Sequence, residues 1–340
     1  MNSESSLSLS EVVKNLMASG KGILAADESV GTAEKRFVAE GIECSEENRR
    51  KWRELLLSAP GAEKYLSGVI LYDETIRQSD NDGVSFPKLL SQRGIATGIK
   101  VDQKTSPFEN SPQEEVTNGL EGLSDRLSEY AEMGAKFTKW RAVVRIGDNL
   151  PTEEAVRENA RRMAKYAGLA QEKGMVPMVE PEVLLEGNHT LKRCEEVVRN
   201  TLGITFEELN KEGINLGGLI LKTSMVLQGN KSGEKWGSKE IAEATMRSLL
   251  AKVPKETAGV VFLSGGQTPQ QATENLNEIA KIAKNKDAPW PLTFSYSRAI
   301  QDPIMKAWAG KDENIERAQE IFLKRLKETA QASEGRYEVA

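Results

Sequence analysis

A lysine closes a run of aliphatic residues, Leu219-Ile220-Leu221-Lys222, with Thr223, Ser224 and Met225 behind it. Three aliphatic residues in a row read as a strand buried on both faces, and a lysine placed there loses much of its hydration. Desolvation and cationic neighbours favour the uncharged amine, which can attack a carbonyl and form an iminium, or Schiff base. The plain alternative is a strand-end salt bridge, or a buried stem that carries its ammonium out to water. Other apolar runs also end in polar residues: Asp27, Lys100, Lys139, Glu180, Ser264 and Arg298. Brought to one face, these ends would set three lysines, an arginine and two carboxylates around one cavity, where cations repelling one another favour the uncharged amine.

Alternation along a strand puts Lys139 and Arg141 on one face, and likewise Glu180 and Glu182. Glu180, flanked by Met178, Val179 and Pro181, is expected to have its carboxyl raised toward neutrality and to shuttle protons; a salt bridge to Lys139 is the competing reading. Two further runs end Ser264-Gly265-Gly266-Gln267 and Ser295-Tyr296-Ser297-Arg298. Consecutive glycines let backbone N–H groups approach an anion, so Ser264, Gly265, Gly266, Ser295 and Arg298 form a candidate phosphate site. A second cationic focus, Lys35 and Arg36 with Arg49 and Lys100, suggests a substrate with a phosphate at each end. For Lys35, Arg36 and Arg49 the alternative is a solvated helix face.

Eight short apolar runs must position these residues: 22–27, 68–72, 95–102, 137–146, 175–183, 218–225, 259–266 and 292–298. Between them lie segments of helical period at 46–58, 119–133, 152–173, 191–211, 239–252, 268–284 and 312–330. Thr152 after Pro151 reads as a helix start and Gly174 as its stop. Eight strands alternating with helices indicate a parallel sheet closed into a (β/α)₈ TIM barrel, whose strand C-termini converge on one face. The expected organisation is one α/β domain over 1–340, with an N-terminal helical segment at 1–20 and a tail at 331–340.

The 340 residues are 39% hydrophobic, enough for a large core, and the formal charge of −5 gives no general attraction to nucleic acid or an anionic membrane. Two cysteines, Cys44 and Cys194, make no disulfide framework and point to a reducing compartment. His189 is the single histidine, so a zinc site is not expected, while carboxylates could still hold Mg²⁺. Without a secretory signal or an apolar run near the ~20 residues that span a bilayer, the expectation is a cytoplasmic protein.

Eight stretches, in order, resemble the class I (Schiff-base) fructose-1,6-bisphosphate aldolases. They are Lys21-Gly22-Ile23-Leu24-Ala25-Ala26-Asp27-Glu28-Ser29, Glu46-Glu47-Asn48-Arg49-Arg50, Gly98-Ile99-Lys100-Val101-Asp102, Lys139-Trp140-Arg141, Val179-Glu180-Pro181-Glu182, Leu191-Lys192-Arg193-Cys194, Phe262-Leu263-Ser264-Gly265-Gly266-Gln267 and Phe294-Ser295-Tyr296. The resemblance implies a metal-independent lyase without a cofactor, a homo-oligomer and by family a homotetramer, that splits fructose 1,6-bisphosphate into dihydroxyacetone phosphate and glyceraldehyde 3-phosphate. It implies that Lys222 forms the iminium, Glu180 serves carbinolamine dehydration, Asp27 takes the proton of the C4 hydroxyl, and Lys139 and Glu182 tune the centre. Ser264, Gly265, Gly266, Ser295 and Arg298 would hold the C1 phosphate; Lys100, Ser29, Arg36 and Arg49 would lie near C6, with Arg141 also on the substrate. Another Schiff-base lyase, acting on a sedoheptulose bisphosphate or a sugar monophosphate, and an inactive scaffold are the alternatives.

The family usually carries Glu-Gly before the lysine's strand, Pro after the lysine, Ser near Thr32 and Gly at the place of Ser297. This chain has Gly217-Gly218 and Thr223 around Lys222. The expected consequences are a hydroxyl near Lys222 and a less intimate backbone approach to phosphate at Ser297. A terminal tyrosine assists proton transfer in many animal members; Tyr337 is not terminal here, and that role is not assigned to it.

Overall fold

The computed structural model describes residues 8–338. Ten strands form: β1 Gly22–Ala26, β2 Leu66–Leu71, β3 Ala96–Lys100, β4 Thr105–Phe108, β5 Ser111–Thr117, β6 Phe137–Val144, β7 Val176–Val183, β8 Ile220–Thr223, β9 Gly259–Phe262 and β10 Leu292–Tyr296. Eight of them close a barrel in the order β1-β10-β9-β8-β7-β6-β3-β2, with every ladder parallel. The (β/α)₈ expectation therefore stands. The pair β4 and β5 is an antiparallel hairpin between β3 and the next helix, and the sequence reading passed over it. Its exposed Glu and Gln residues lack the apolar alternation that marks a half-buried strand.

Period two sorts each barrel strand into an inner and an outer face. Ile23, Ala25, Ile70, Phe137, Val176, Met178, Ile220 and Val261 pack inside the barrel, where Val12, Val13 and Leu16 of the helix Leu9–Leu16 close its N-terminal end. Leu24, Val69, Ile99, Trp140, Val179, Leu221 and Val260 join the layer shared with the surrounding helices. Trp140 stacks on Tyr166 of the helix Glu153–Glu172 at 5.4 Å between ring centroids. A side chain at Gly98 would meet the Phe137 ring at 2.3 Å, so the missing Cβ is what lets that ring fill the barrel's lower layer. Above this plug the inner faces turn polar.

Strands stop sooner than the apolar runs suggest: β8 ends at Thr223 and β9 at Phe262, and the residues beyond them become loops over the site. The helix anticipated from residue 119 starts at Leu123, because Gly119 and Gly122 adopt positive φ of 126° and 62°. Thr152 caps its helix by accepting from the Ala155 amide at 3.2 Å, and Gly174, at φ +71°, follows the helix end. Four helices went unread, Val30–Ala39, the short Asp73–Ile76, Phe86–Gln92 and Arg298–Trp308; the last carries Pro303 in its interior, an ordinary helix-breaking signal. No helix among the described residues is long and apolar enough to cross a membrane.

Candidate active site

Lys222 shares the inner face of β8 with Ile220, and its side chain is buried among charges rather than exposed. Its ammonium lies 3.0 Å from Glu180 Oε1. The other Glu180 oxygen stands 3.2 Å from Lys139 Nζ, and Lys139 Nζ is 2.6 Å from Asp27 Oδ2. The four residues, each under a tenth exposed, form one line of alternating sign from β8 through β7 and β6 to the end of β1. Parallel pairing of β6 with β7 sets this line, because Lys139 registers with Met178 and Arg141 with Glu180. Arg141 pairs with Glu182 one step further toward the mouth, and Lys100 pairs with Asp102 at 2.6 Å.

This arrangement corrects two expectations. The nearest charged neighbour of the Lys222 amine is the Glu180 carboxylate, so the repulsion among cations expected to favour the uncharged amine is not its closest interaction. Glu180 is also not raised toward neutrality. Burial alone would push its carboxyl up, but Lys139, Lys222 and Arg141 outweigh that and hold it below the ordinary range. For Asp27 burial likewise opposes ionisation, yet Lys139, Lys222 and Lys100 pull its carboxyl down to about 2. Burial opposes the charge on Lys139 as well, and Asp27, Glu180 and Asp102 more than compensate, raising its ammonium above its usual value. The salt bridge from Glu180 to Lys139, the competing reading, is present.

A cavity of about 390 Å³ opens above this line. Every site residue named from the sequence lines it except Gly266 and Arg49. Gly265 and Gly266 take φ of +55° and +89°, the left-handed geometry in which consecutive backbone N–H groups form an anion-binding concavity. A Cβ on Gly266 would come within 3.6 Å of Arg298 Nη2, so the glycine stands directly behind that guanidinium. Arg298 itself lines this end of the cavity and opens the helix Arg298–Trp308. The buried Ser295 hydroxyl has no hydrogen-bond partner among the described residues, as expected for a group that serves a ligand.

Arg49 does not reach this cavity. Its helix, Glu46–Leu57, presents it to Glu74 in a two-pronged contact of 2.8 and 2.6 Å, and it donates to the Cys44 carbonyl at 3.2 Å. Its assignment near C6 is withdrawn: a guanidinium tied at both prongs to a partly buried carboxylate supports the fold. Arg36 does line the cavity, but its terminal nitrogens are taken by Glu28, Gln301 and Asp302. Ser29 Oγ sits 3.1 Å from Thr32 Oγ1 at the same rim.

Sequence reasoning passed over Glu28 and Asp102. Glu28, beside Asp27, is buried and meets Arg53 at 2.8 Å, Arg36, Ser297 at 2.6 Å and Gln301 at 3.0 Å. Asp102 could have been found, since alternation from Lys100 puts it on the same inner face. Thr223 Oγ1 donates to the Ser224 carbonyl at 3.4 Å on the outer side of the strand, so its hydroxyl is not aimed at the Lys222 amine. The Ser297 hydroxyl is drawn to Glu28 and away from the glycine loop, at a negative φ of −106°.

A parallel eightfold barrel whose lysines and carboxylates meet at the C-terminal strand ends has the architecture of a barrel enzyme with its charged site at that face. The family model of class-I fructose-bisphosphate aldolase matches residues 8–340. A probable fructose-bisphosphate aldolase class 1 of Xanthomonas campestris is 47% identical over 331 residues, covering 97% of this chain and 98% of the relative. The cytosolic fructose-bisphosphate aldolase 4 of Arabidopsis thaliana is 47% identical over 318 residues, 94% of this chain and 80% of the relative. A ternary co-crystal structure of fructose-bisphosphate aldolase from Plasmodium falciparum, in complex with TRAP and a small-molecule inhibitor, superposes with a TM-score of 0.95 at 39% identity and covers 98% of this chain and 95% of that one. The chain belongs to the class-I fructose-bisphosphate aldolase family.

Proposed function

We propose that this class I fructose-bisphosphate aldolase forms its Schiff base on Lys222 and divides the acid and base work between Glu180 and Asp27. The observation that carries the reading is the unbroken line Lys222, Glu180, Lys139, Asp27, with contacts of 3.0, 3.2 and 2.6 Å. Glu180 takes a proton from the Lys222 ammonium, and the freed amine adds to the C2 carbonyl of the open-chain ketose. The carbinolamine hydroxyl then leaves as water with the proton held by Glu180, and the iminium remains. A carboxyl held low by Lys139, Lys222 and Arg141 rests as the carboxylate, a weak base with the Lys222 ammonium at 3.0 Å, and it becomes a donor once Lys222 has handed its proton over.

The iminium withdraws electrons more strongly than the ketone, so the C3–C4 bond breaks with its pair passing to the enamine as Asp27 removes the C4 hydroxyl proton. Glyceraldehyde 3-phosphate departs; protonation of the enamine and hydrolysis release dihydroxyacetone phosphate. Lys139 keeps Asp27 and Glu180 ionised and apart. Ser264, Gly265, Gly266, Ser295 and Arg298 hold the C1 phosphate, and Lys100, Ser29 and Arg36 lie toward C6. The protein acts in the cytoplasm as a homotetramer; the cytosolic Arabidopsis relative supports the compartment.

The test is kcat/KM on fructose 1,6-bisphosphate and on fructose 1-phosphate, with and without EDTA. A second phosphate bound by charge-assisted contacts should favour the bisphosphate by at least about a hundredfold, with no effect of EDTA. Equal values on the two sugars, or loss of activity with chelator, would refute the reading.

A further inference from the structure

Arg36 is one of two arginines that line the cavity near its phosphate-binding ends, yet in the structure it is already engaged by anionic and polar side chains. Its Nη1 meets Glu28 and lies 3.3 Å from Gln301 Oε1; its Nη2 donates to Asp302 Oδ1 at 2.9 Å. The two carboxylates differ in kind. Glu28 is buried, with an arginine on either side and with Ser297 and Gln301 donating to it, so it belongs to the framework. Asp302 is half-exposed, its side chain 53% open to solvent, and Arg36 is the one ion-pair partner it has among the described residues.

Asp302 comes from the helix that begins at Arg298, one turn further on. Burial raises its carboxyl, and the charges of both Arg36 and Arg298 act against that rise. One acidic side chain therefore feels both Arg36 and Arg298 while pairing with only Arg36.

We propose that Asp302 is a specificity-determining residue of the bisphosphate site: its carboxylate competes with the substrate's second phosphate for Nη2 of Arg36. The inference rests on the placement of Arg36 toward C6. A phosphate dianion engages a guanidinium bidentately and prevails over one monodentate carboxylate, but the displacement weakens binding of every ligand that brings that phosphate. A monophosphorylated sugar bound at the C1 end leaves the Arg36 and Asp302 pair intact and meets no such competition. Exposed ion pairs are weak, so the effect is a few-fold rather than a switch.

The experiment measures steady-state kinetics of Asp302→Asn, with Asp302→Ala as a second variant, on fructose 1,6-bisphosphate and on fructose 1-phosphate. The expected result is a KM for the bisphosphate lowered by about 3- to 5-fold in both variants, with the change in KM rather than kcat and with the monophosphate KM moved by less than about 2-fold. In an Arg36→Ala background the same substitution should have no effect on the bisphosphate KM, because the competition has lost its object. An unchanged or raised bisphosphate KM in Asp302→Asn overturns the proposal, as does an equal fall for both sugars, which would mark a general change of field. A wild-type enzyme that leaves the bisphosphate uncleaved would instead defeat the functional reading, before any variant is compared.

Discussion

Replacing Lys139 with methionine should unsettle the protein as well as its chemistry. The ammonium is buried and shared by Asp27 at 2.6 Å and Glu180 at 3.2 Å. At an effective dielectric near 20 each contact is a gross attraction of about 5–6 kcal/mol, most of it offset by the desolvation of three charges. What remains after one partner is removed is the cost of buried carboxylates left without it, about 3–5 kcal/mol. The value should fall toward the lower end, since Lys222 and Lys100 still act on Asp27. For a chain of 340 residues the unfolding entropy is roughly 0.7 kcal/mol per kelvin, so Tm should drop by about 4–7 °C near pH 7. The pH dependence has a definite sign. In the wild type the Asp27 carboxyl sits at about 2, so its contribution to stability is complete above the ordinary aspartate range near 4 and is lost as pH falls toward 2. In the variant both carboxyls protonate at higher pH, and the gap to wild type narrows on acidification. Thermal denaturation near pH 7 and near pH 4 reads both effects. A variant within about 0.5 kcal/mol of wild type at neutral pH, or a gap that widens in acid, would refute the reasoning.

Ser295→Ala should raise the bisphosphate KM by about tenfold, the worth of a hydroxyl donating to a phosphate, and leave Tm within about a degree because that hydroxyl has no partner within the described protein. Steady-state kinetics and a melting curve on the same sample check both halves. Arg49→Ala should do the reverse: a bisphosphate KM within about twofold of wild type, and stability lower by about 1–2 kcal/mol from the loss of its contacts to Glu74 and the Cys44 carbonyl. Urea denaturation together with kinetics separates the two, and a KM rise of tenfold or more would return Arg49 to the phosphate site.

The barrel was legible because its strands are short and apolar and most are followed by a helix-period segment, and because two-residue alternation carries Lys139 with Arg141 and Glu180 with Glu182 onto the inner face. What escaped had weak local signals. The hairpin of β4 and β5 is polar on both sides, and the helix Arg298–Trp308 is written through a proline. The protonation of Glu180 was misjudged because flanking Met178, Val179 and Pro181 speak of burial, whereas the lysines that govern its charge come from β6 and β8, distant in sequence. Arg49 was misplaced for a related reason: its partner Glu74 lies 25 residues on, and nothing in the basic cluster announces it. Long-range charge pairing is the property least available from a chain read in order.

Covalent capture on Lys222 tests the central claim most directly. The enzyme is incubated with dihydroxyacetone phosphate, reduced with borohydride, digested and mapped by mass. One triose phosphate adduct per chain is expected on the peptide that carries Lys222, and none in Lys222→Met. An adduct on Lys139 or Lys100, or full cleavage activity in the methionine variant, would contradict it.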